Sequence, residues 1–300
     1  MKPAQLPVDW PLQSVSESVQ AGGLTWHVQR AGRGPCLVLL HGTAASTHSF
    51  RALAELLAGR FELVLVDLPG HGFSSALQAP TLPRVAAALG ALLRQLDVSP
   101  DLVIGHSAGA AIAIRMVLDD WVSPRALIGL APALKPYGGA ADGMASQLAR
   151  LVFINPLAPH LFSASASASR VRRLIEKTGS RLDPVGTQYY ARLLKRPSHV
   201  KGALSMMAHW NLRPLLSDLK HLSTPLTLVA GEQDRATSPD EVEQAARLMR
   251  EGTVIRLSGV GHLAHEENPG AVAGIVHQCA NDTGLFEDTD PPAARLQAAR

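Results

Sequence analysis

Buried strands alternate with helical patterns along this chain. The alternation predicts an α/β fold, with a mostly parallel central sheet and helices on both faces. Three observations carry that prediction. The continuous apolar runs at 36–40, 63–66 and 102–104 suit strands covered by helices above and below. Each is followed by apolar residues at helical spacing. After a further strand at 126–130 the rhythm stops, and residues 133–214 hold many Gly and Pro, helical patches and no clean strand. That interruption predicts an inserted, mainly helical cap, with the core divided into 14–132 and 215–280 and with terminal extensions at 1–13 and 281–300.

The elements follow in order. Residues 14–19 and 24–28 alternate polar and apolar side chains about Gly22-Gly23, the mark of a hairpin. The strand at 36–40 leads to a helix marked by Phe50, Leu53, Leu56 and Leu57. The strand at 63–66 ends at Asp67, before the turn Pro69-Gly70-His71-Gly72. Helical spacing runs over 82–96 and 108–118, on either side of the strand at 102–104. In the cap, 170–175 and 188–194 are the clearest helical patches, and the Ser163–Ser169 repeat (SASASAS) predicts a flexible loop or a hinge. The cap is expected to be the least rigid region and the route to the site. Leu151-Val152-Phe153-Ile154 and Leu161-Phe162 would line its mouth or touch a membrane or partner. Strands at 226–230 and 254–257 and helices at 239–249 and 271–279 complete the core.

Composition excludes several classes. The 300 residues are 46% hydrophobic, enough for a large core, and rule out global disorder. A net charge of +3 from scattered basic residues is no nucleic-acid signal. Cys36 and Cys279 are the only 2 cysteines, too few for a disulfide framework or a cysteine zinc site. The start, MKPAQLPVDWPLQ, lacks the apolar stretch of a signal peptide, and no segment reads as a membrane span. A cytoplasmic protein is expected, with peripheral membrane contact left open. No Walker loop and no G-x-G-x-x-G occurs, so nucleotide binding has no support.

Chemistry centres on Gly105-His106-Ser107-Ala108-Gly109. Between a buried strand and a helix, G-x-S-x-G forms a nucleophile elbow, a sharp turn that thrusts the serine hydroxyl out above the strand ends. Ser107 needs a base, and His262 supplies one in the loop Gly259-Val260-Gly261-His262, with His265 the weaker candidate. Asp234, just past the strand at 226–230, would fix the imidazole tautomer, with Glu232 as its rival. In His41-Gly42-Thr43-Ala44 the Thr43 N–H, with that of Ala108, would form an oxyanion hole. His41, His71 and His106 read as structural residues. Met206, Met207 and Trp210 are candidate apolar walls of a substrate pocket. The run His262-Leu263-Ala264-His265-Glu266 is not a H-E-x-x-H zinc motif, so no metal is expected.

With HGTAAS, DLPGHGFS, GHSAGA, GEQD and GVGHLAHEE in this order, residues 14–280 resemble the α/β-hydrolase-fold superfamily. A narrower resemblance rests on VDWP, GGLTWHVQ, GTAASTHSF, the stretch Thr178-Gly179-Ser180-Arg181-Leu182-Asp183, and Ser205-Met206-Met207-Ala208-His209-Trp210. It is to the hydrolase-like magnesium chelatase accessory proteins of bacteriochlorophyll biosynthesis. Dehalogenases and epoxide hydrolases of this fold use an aspartate nucleophile where Ser107 stands here, and Tyr189-Tyr190 resemble their epoxide-opening tyrosines but read as packing. Ser107, His262 and Asp234 predict a serine hydrolase of esters or related acyl bonds with no cofactor, whereas the narrower resemblance implies a role around insertion of magnesium into protoporphyrin or a neighbouring tetrapyrrole step. It also implies a lipophilic or acyl-bearing substrate such as a tetrapyrrole, magnesium chelatase subunits as partners, and a place at the photosynthetic membrane. The alternative it leaves is a non-catalytic accessory protein that binds a porphyrin or the chelatase.

Overall fold

A computed structural model describes residues 6–134, 155, 157–250 and 252–286. Its strands are β1 (Ser16–Ala21), β2 (Leu24–Gly32), β3 (Cys36–Leu40), β4 (Glu62–Val66), β5 (Leu102–His106), β6 (Ala126–Leu130), β7 (Leu226–Gly231) and β8 (Gly252–Leu257). They form one 8-stranded sheet in the order β1-β2-β4-β3-β5-β6-β7-β8. β1 and β2 pair antiparallel, and β2 joins β4 antiparallel. Every pairing from β4 to β8 is parallel. Such strands need cover on both faces, and their burial shows it: β5 and β6 are buried at every residue.

Two apolar layers provide that cover. Helices α1 (Arg51–Leu57) and α11 (Pro269–Asp282) pack on one face through Leu53, Leu57, Val272 and Val276. Helices α2 (Leu82–Gln95), α3 (Ala108–Leu118) and α9 (Pro239–Ala246) pack on the other through Leu89, Ile112 and Val242. The chain runs from β3 out to β4 and then returns to β5 on the opposite side of β3. This reversal opens a crevice beyond the carboxyl ends of β3 and β5, where open α/β sheets hold their ligands.

Between β6 and β7 lie α4 (Ala158–Ser165), α5 (Ala168–Lys177), α6 (Pro184–Leu194), α7 (Pro197–His209) and α8 (Arg213–Asp218). The Ser163–Ser169 run is not the flexible loop that its composition suggests. Its first residues finish α4 and its last begin α5. Alanine favours the helix, the Ser163 hydroxyl donates back to Pro159 O at 2.7 Å, and Ser167 caps α5 by accepting from Arg170 N–H. Leu151-Val152-Phe153-Ile154 lie outside the described residues. Leu161 and Phe162 are both exposed, and only Phe162 lines the cavity described below.

Buried polar groups hold these helices to the core. Asp67, at the end of β4, accepts from Thr47 N–H at 2.7 Å, Phe73 N–H at 2.9 Å and His27 Nδ1 at 2.7 Å. Burial opposes its charge, but His27 and these backbone donors hold its carboxyl well below the usual range. His41 Nε2 accepts from Leu68 N–H at 2.9 Å, and its Nδ1–H donates to Gly42 O at 2.7 Å. His199 of α7 bridges two core loops, accepting from Gly72 N–H at 2.9 Å and donating to Ala44 O at 3.2 Å. At the chain's start, Trp10 is buried edge-on against Phe73 and Tyr189, and Asp9 pairs with Arg192 of α6 at 2.7 Å. Among the described residues no helix is long and apolar enough to cross a membrane.

Candidate active site

Close backbone approach builds the nucleophile turn. A side chain at Gly109 would strike the Leu40 carbonyl, and one at Gly105 would strike the backbone of Ala110. Without these side chains β5 passes into α3 with a single residue between them. That residue, Ser107, sits at φ 50° and ψ −112°, outside the ordinary L-residue regions. Conformations of this kind cost on the order of 1–3 kcal/mol and persist only where the surroundings enforce them. Here Ser107 N–H donates to Leu130 O at 2.8 Å, while its carbonyl accepts from Ala110 and Ala133 N–H, each at 3.1 Å.

The imidazole of His262 stands in the loop after β8. Its Nδ1 lies 2.9 Å from Asp234 Oδ2. The other Asp234 oxygen accepts from Ala236 N–H at 2.7 Å and Thr237 N–H at 2.9 Å, which fixes the carboxylate's orientation. Asp234 is buried, whereas its rival Glu232 points to solvent. His265 does not share the place of His262. It is wholly buried, with its ring 4.5 Å from His106 and 5.0 Å from Phe50. His106 donates to His262 O at 3.0 Å and so supports the loop rather than the reacting groups.

Ser107, Thr43 and His262 meet at one cavity of about 610 Å³. Its walls are largely apolar: Ala44, Ala45, Val171, Ile175, Val200, Ala203, Leu204 and Leu263. Of the expected pocket walls Met207 lines it, but Met206 and Trp210 do not. Both are buried in the core, where the Met206 sulfur receives the Thr43 hydroxyl at 3.6 Å and Trp210 Nε1–H donates to Pro80 O at 3.0 Å. α7 turns Met206 toward the core and Met207 toward the cavity, which helical spacing without a known facing direction does not reveal, and Trp210 follows the helix in an extended conformation. Thr43 and Ala108 stand beside Ser107, at the ends of β3 and the start of α3.

The sequence reading missed the residues that hold the His262 loop. The cap stretch Thr178–Arg181 reaches across to both loops. Thr178 O accepts from Arg235 N–H at 3.0 Å, and Ser180 Oγ accepts from Leu263 N–H at 2.8 Å. Glu267, in α10 (Ala264–Glu267), accepts from Gly261 N–H and Arg181 N–H, both at 3.0 Å. The chain passes close here: a side chain at Gly261 would strike the backbone of Gly179 and Ser180, and one at Gly179 would strike the Gln233 carbonyl. Beneath the cavity Glu266 bonds Arg51 and accepts from Tyr190 Oη at 2.7 Å. Burial, partly offset by these two partners, pushes its carboxyl up to about 7. Tyr190 therefore lines the cavity with its hydroxyl already engaged, and Tyr189 donates to Asp9 O at 3.1 Å. His262 turns to Asp234 and Glu266 to Arg51 and Tyr190, and among the described residues no group of three or more His, Cys, Asp or Glu is placed to hold a metal ion.

A family model described as the alpha/beta hydrolase family matches residues 37–275. The chain belongs to the alpha/beta hydrolase family. It is 40% identical over 284 residues to the magnesium-chelatase 30 kDa subunit of Rhodobacter capsulatus, covering 92% of this chain and 98% of that protein. It is 28% identical over 249 residues to a pimeloyl-[acyl-carrier protein] methyl ester esterase of Xanthomonas oryzae pv. oryzae, covering 79% of this chain and 91% of the esterase. Among solved structures, an α/β-hydrolase-fold protein from Burkholderia ambifaria superimposes with a TM-score of 0.74 at 24% identity, over 88% of this chain and 97% of its own. The epoxide hydrolase CorEH superimposes with a TM-score of 0.76 at 20% identity, over 89% of this chain and 98% of its own. At these identities the two structures speak for the fold alone.

Two outcomes follow for stability. Ser180→Ala would strand the buried Leu263 N–H and should cost about 1–3 kcal/mol in chemical denaturation, whereas Ser180→Thr should keep part of the bond. The second concerns pH. Burial lowers the pKa of His199 from 6.5 to about 4, so the unfolded chain binds the proton more readily. His41, His48 and His71 shift in the same direction. Their contribution is intact above 6.5 and is lost as pH falls through the folded values. Glu266 acts oppositely, favouring the fold below its ordinary value of 4.5 and losing that contribution as pH rises through about 7. The histidines outnumber it, so the melting temperature should fall between pH 6.5 and 4 in a thermal scan, and His199→Asn should flatten that fall.

Proposed function

We propose that this protein is a serine hydrolase acting on an ester or related acyl bond, in the service of a magnesium-tetrapyrrole step. The observation that carries the reading is the Asp234–His262 pair at 2.9 Å, set on one cavity with the strained Ser107. Asp234 takes the Nδ1 proton of His262 into a hydrogen bond and leaves Nε2 as the acceptor. His262 removes the Ser107 hydroxyl proton as Oγ attacks the acyl carbon. The backbone N–H groups of Thr43 and Ala108 stabilise the oxyanion. His262 then returns the proton to the leaving alcohol, and a water repeats the sequence to release the acid. No cofactor enters these steps. The esterase relative supports the acyl chemistry, and the 40% identical magnesium-chelatase subunit supports the pathway.

That same subunit favours a second reading, in which the protein binds a porphyrin or docks on the chelatase without turnover. Fluorophosphonate labelling separates the two. Wild-type protein should be labelled at Ser107 and Ser107→Ala should not; an unlabelled wild type would favour the binding reading. With a chromogenic ester, Ser107→Ala should lose about 10⁴–10⁶ in turnover. Asp234→Asn should lose roughly 10⁴ through the wrong tautomer, and a larger loss in Glu232→Gln would move the acid to Glu232.

A further inference from the structure

The cavity is apolar within and basic at its mouth. Arg170, Arg173 and Lys177 line it from α5, and all three are exposed. They stand at i, i+3 and i+7, so one flank of the helix presents them together while Val171 and Ile175 turn inward. Among the described residues no Asp or Glu lines the cavity. Among the described residues no carboxylate pairs with any of the three. The Arg170 guanidinium bonds only Ser165 O at 3.2 Å, and the one acidic residue of α5, Glu176, faces Arg172 at 3.8 Å. Arg170 sits in the first turn of α5, where the helix dipole favours negative charge, so its placement does not serve the helix.

We propose that this mouth selects an amphiphilic substrate with an apolar body and a free carboxylate. The body occupies the cavity between Val171, Ile175, Val200 and Leu204, with its acyl bond at Ser107. The carboxylate stays at the rim, where the side chains of Arg170, Arg173 and Lys177 meet it. A half-solvated site of this kind discriminates by charge without the cost of burying an ion pair. This assignment deepens the hydrolase reading and rests on it for the turnover assay below, whereas the binding assay is independent of turnover.

Two assays on the full chain test it. In the first, 11-(dansylamino)undecanoate and 11-(dansylamino)undecanol are titrated by fluorescence into wild-type protein and into the triple variant Arg170→Gln/Arg173→Gln/Lys177→Gln. The ratio of acid to alcohol affinity should fall about tenfold in the variant, the scale expected of three exposed charges acting on one anion. Arg172→Gln, which removes a cation from the same helix but not from the cavity wall, should leave the ratio within about twofold of wild type. Rising ionic strength should narrow the wild-type ratio. An unchanged ratio in the triple variant, an equal fall in Arg172→Gln, or no saturable binding of the acid would overturn the proposal. In the second, kcat/KM is compared for the 4-nitrophenyl monoester of suberate and for 4-nitrophenyl octanoate, which share their chain length. The same tenfold shift in ratio is expected. Turnover of both esters with no shift would sink the carboxylate mouth and leave the hydrolase reading standing. Acid-selective binding with neither ester cleaved would do the reverse.

Discussion

The whole arrangement depends on a backbone that cannot relax at Ser107. β5 and α3 are joined by one residue, and Gly109 passes so close beside Leu40 that no side chain fits there. Strain there is held by the ladder to β6 and by the helix that starts at Ala108. The sheet order matters for the same reason. Because β5 lies beside β3, the loop carrying Thr43 and the turn carrying Ser107 open into one crevice. Neither loop would form a site alone.

On the other side of that crevice the imidazole is set by two layers of partners. Asp234 faces it directly, and its own orientation is set by backbone N–H groups rather than by other charges. Outside that pair, Glu267 and Ser180 hold the chain before and after His262. Buried carboxylates and imidazoles elsewhere, among them Asp67, His41 and His199, join loops that carry few apolar side chains of their own. Polar groups in such places must be satisfied internally, and each pairing therefore specifies one loop arrangement.

The core of this fold could be read from the chain because its signals are local. Continuous apolar runs mark strands covered on both faces, and the helix at Leu82–Gln95 keeps a clean period. Ser107, Asp234 and His262 were legible for a related reason, since each follows a strand at its carboxyl end. The cap was harder. Serine and alanine at Ser163–Ser169 suit a loop by composition, but in context they close one helix and cap the next. Pro197–His209 carries apolar residues on more than one side, so its period did not say that Met206 joins the core and Met207 the cavity, and Trp210 lies past its last turn. The supporting contacts of Ser180 and Glu267 are between residues far apart in the chain. No periodicity encodes such contacts, although the motif Thr178–Asp183 stood out as a string.

The close passage of Gly261 against Gly179 has a consequence for how a ligand enters. The helices over the site are tethered at several places, among them His199, against the turns of the core, and Thr178–Arg181, against the loops of Asp234 and His262. A lid that swung away as one piece would pull on the imidazole loop each time it opened, and every admission of ligand would dismantle the machinery meant to receive it. The tethers instead make part of the cover a fixed frame. The frame is the set of helices that carry these tethers, and α4 rests on it through Ala158, Val200 and Leu204.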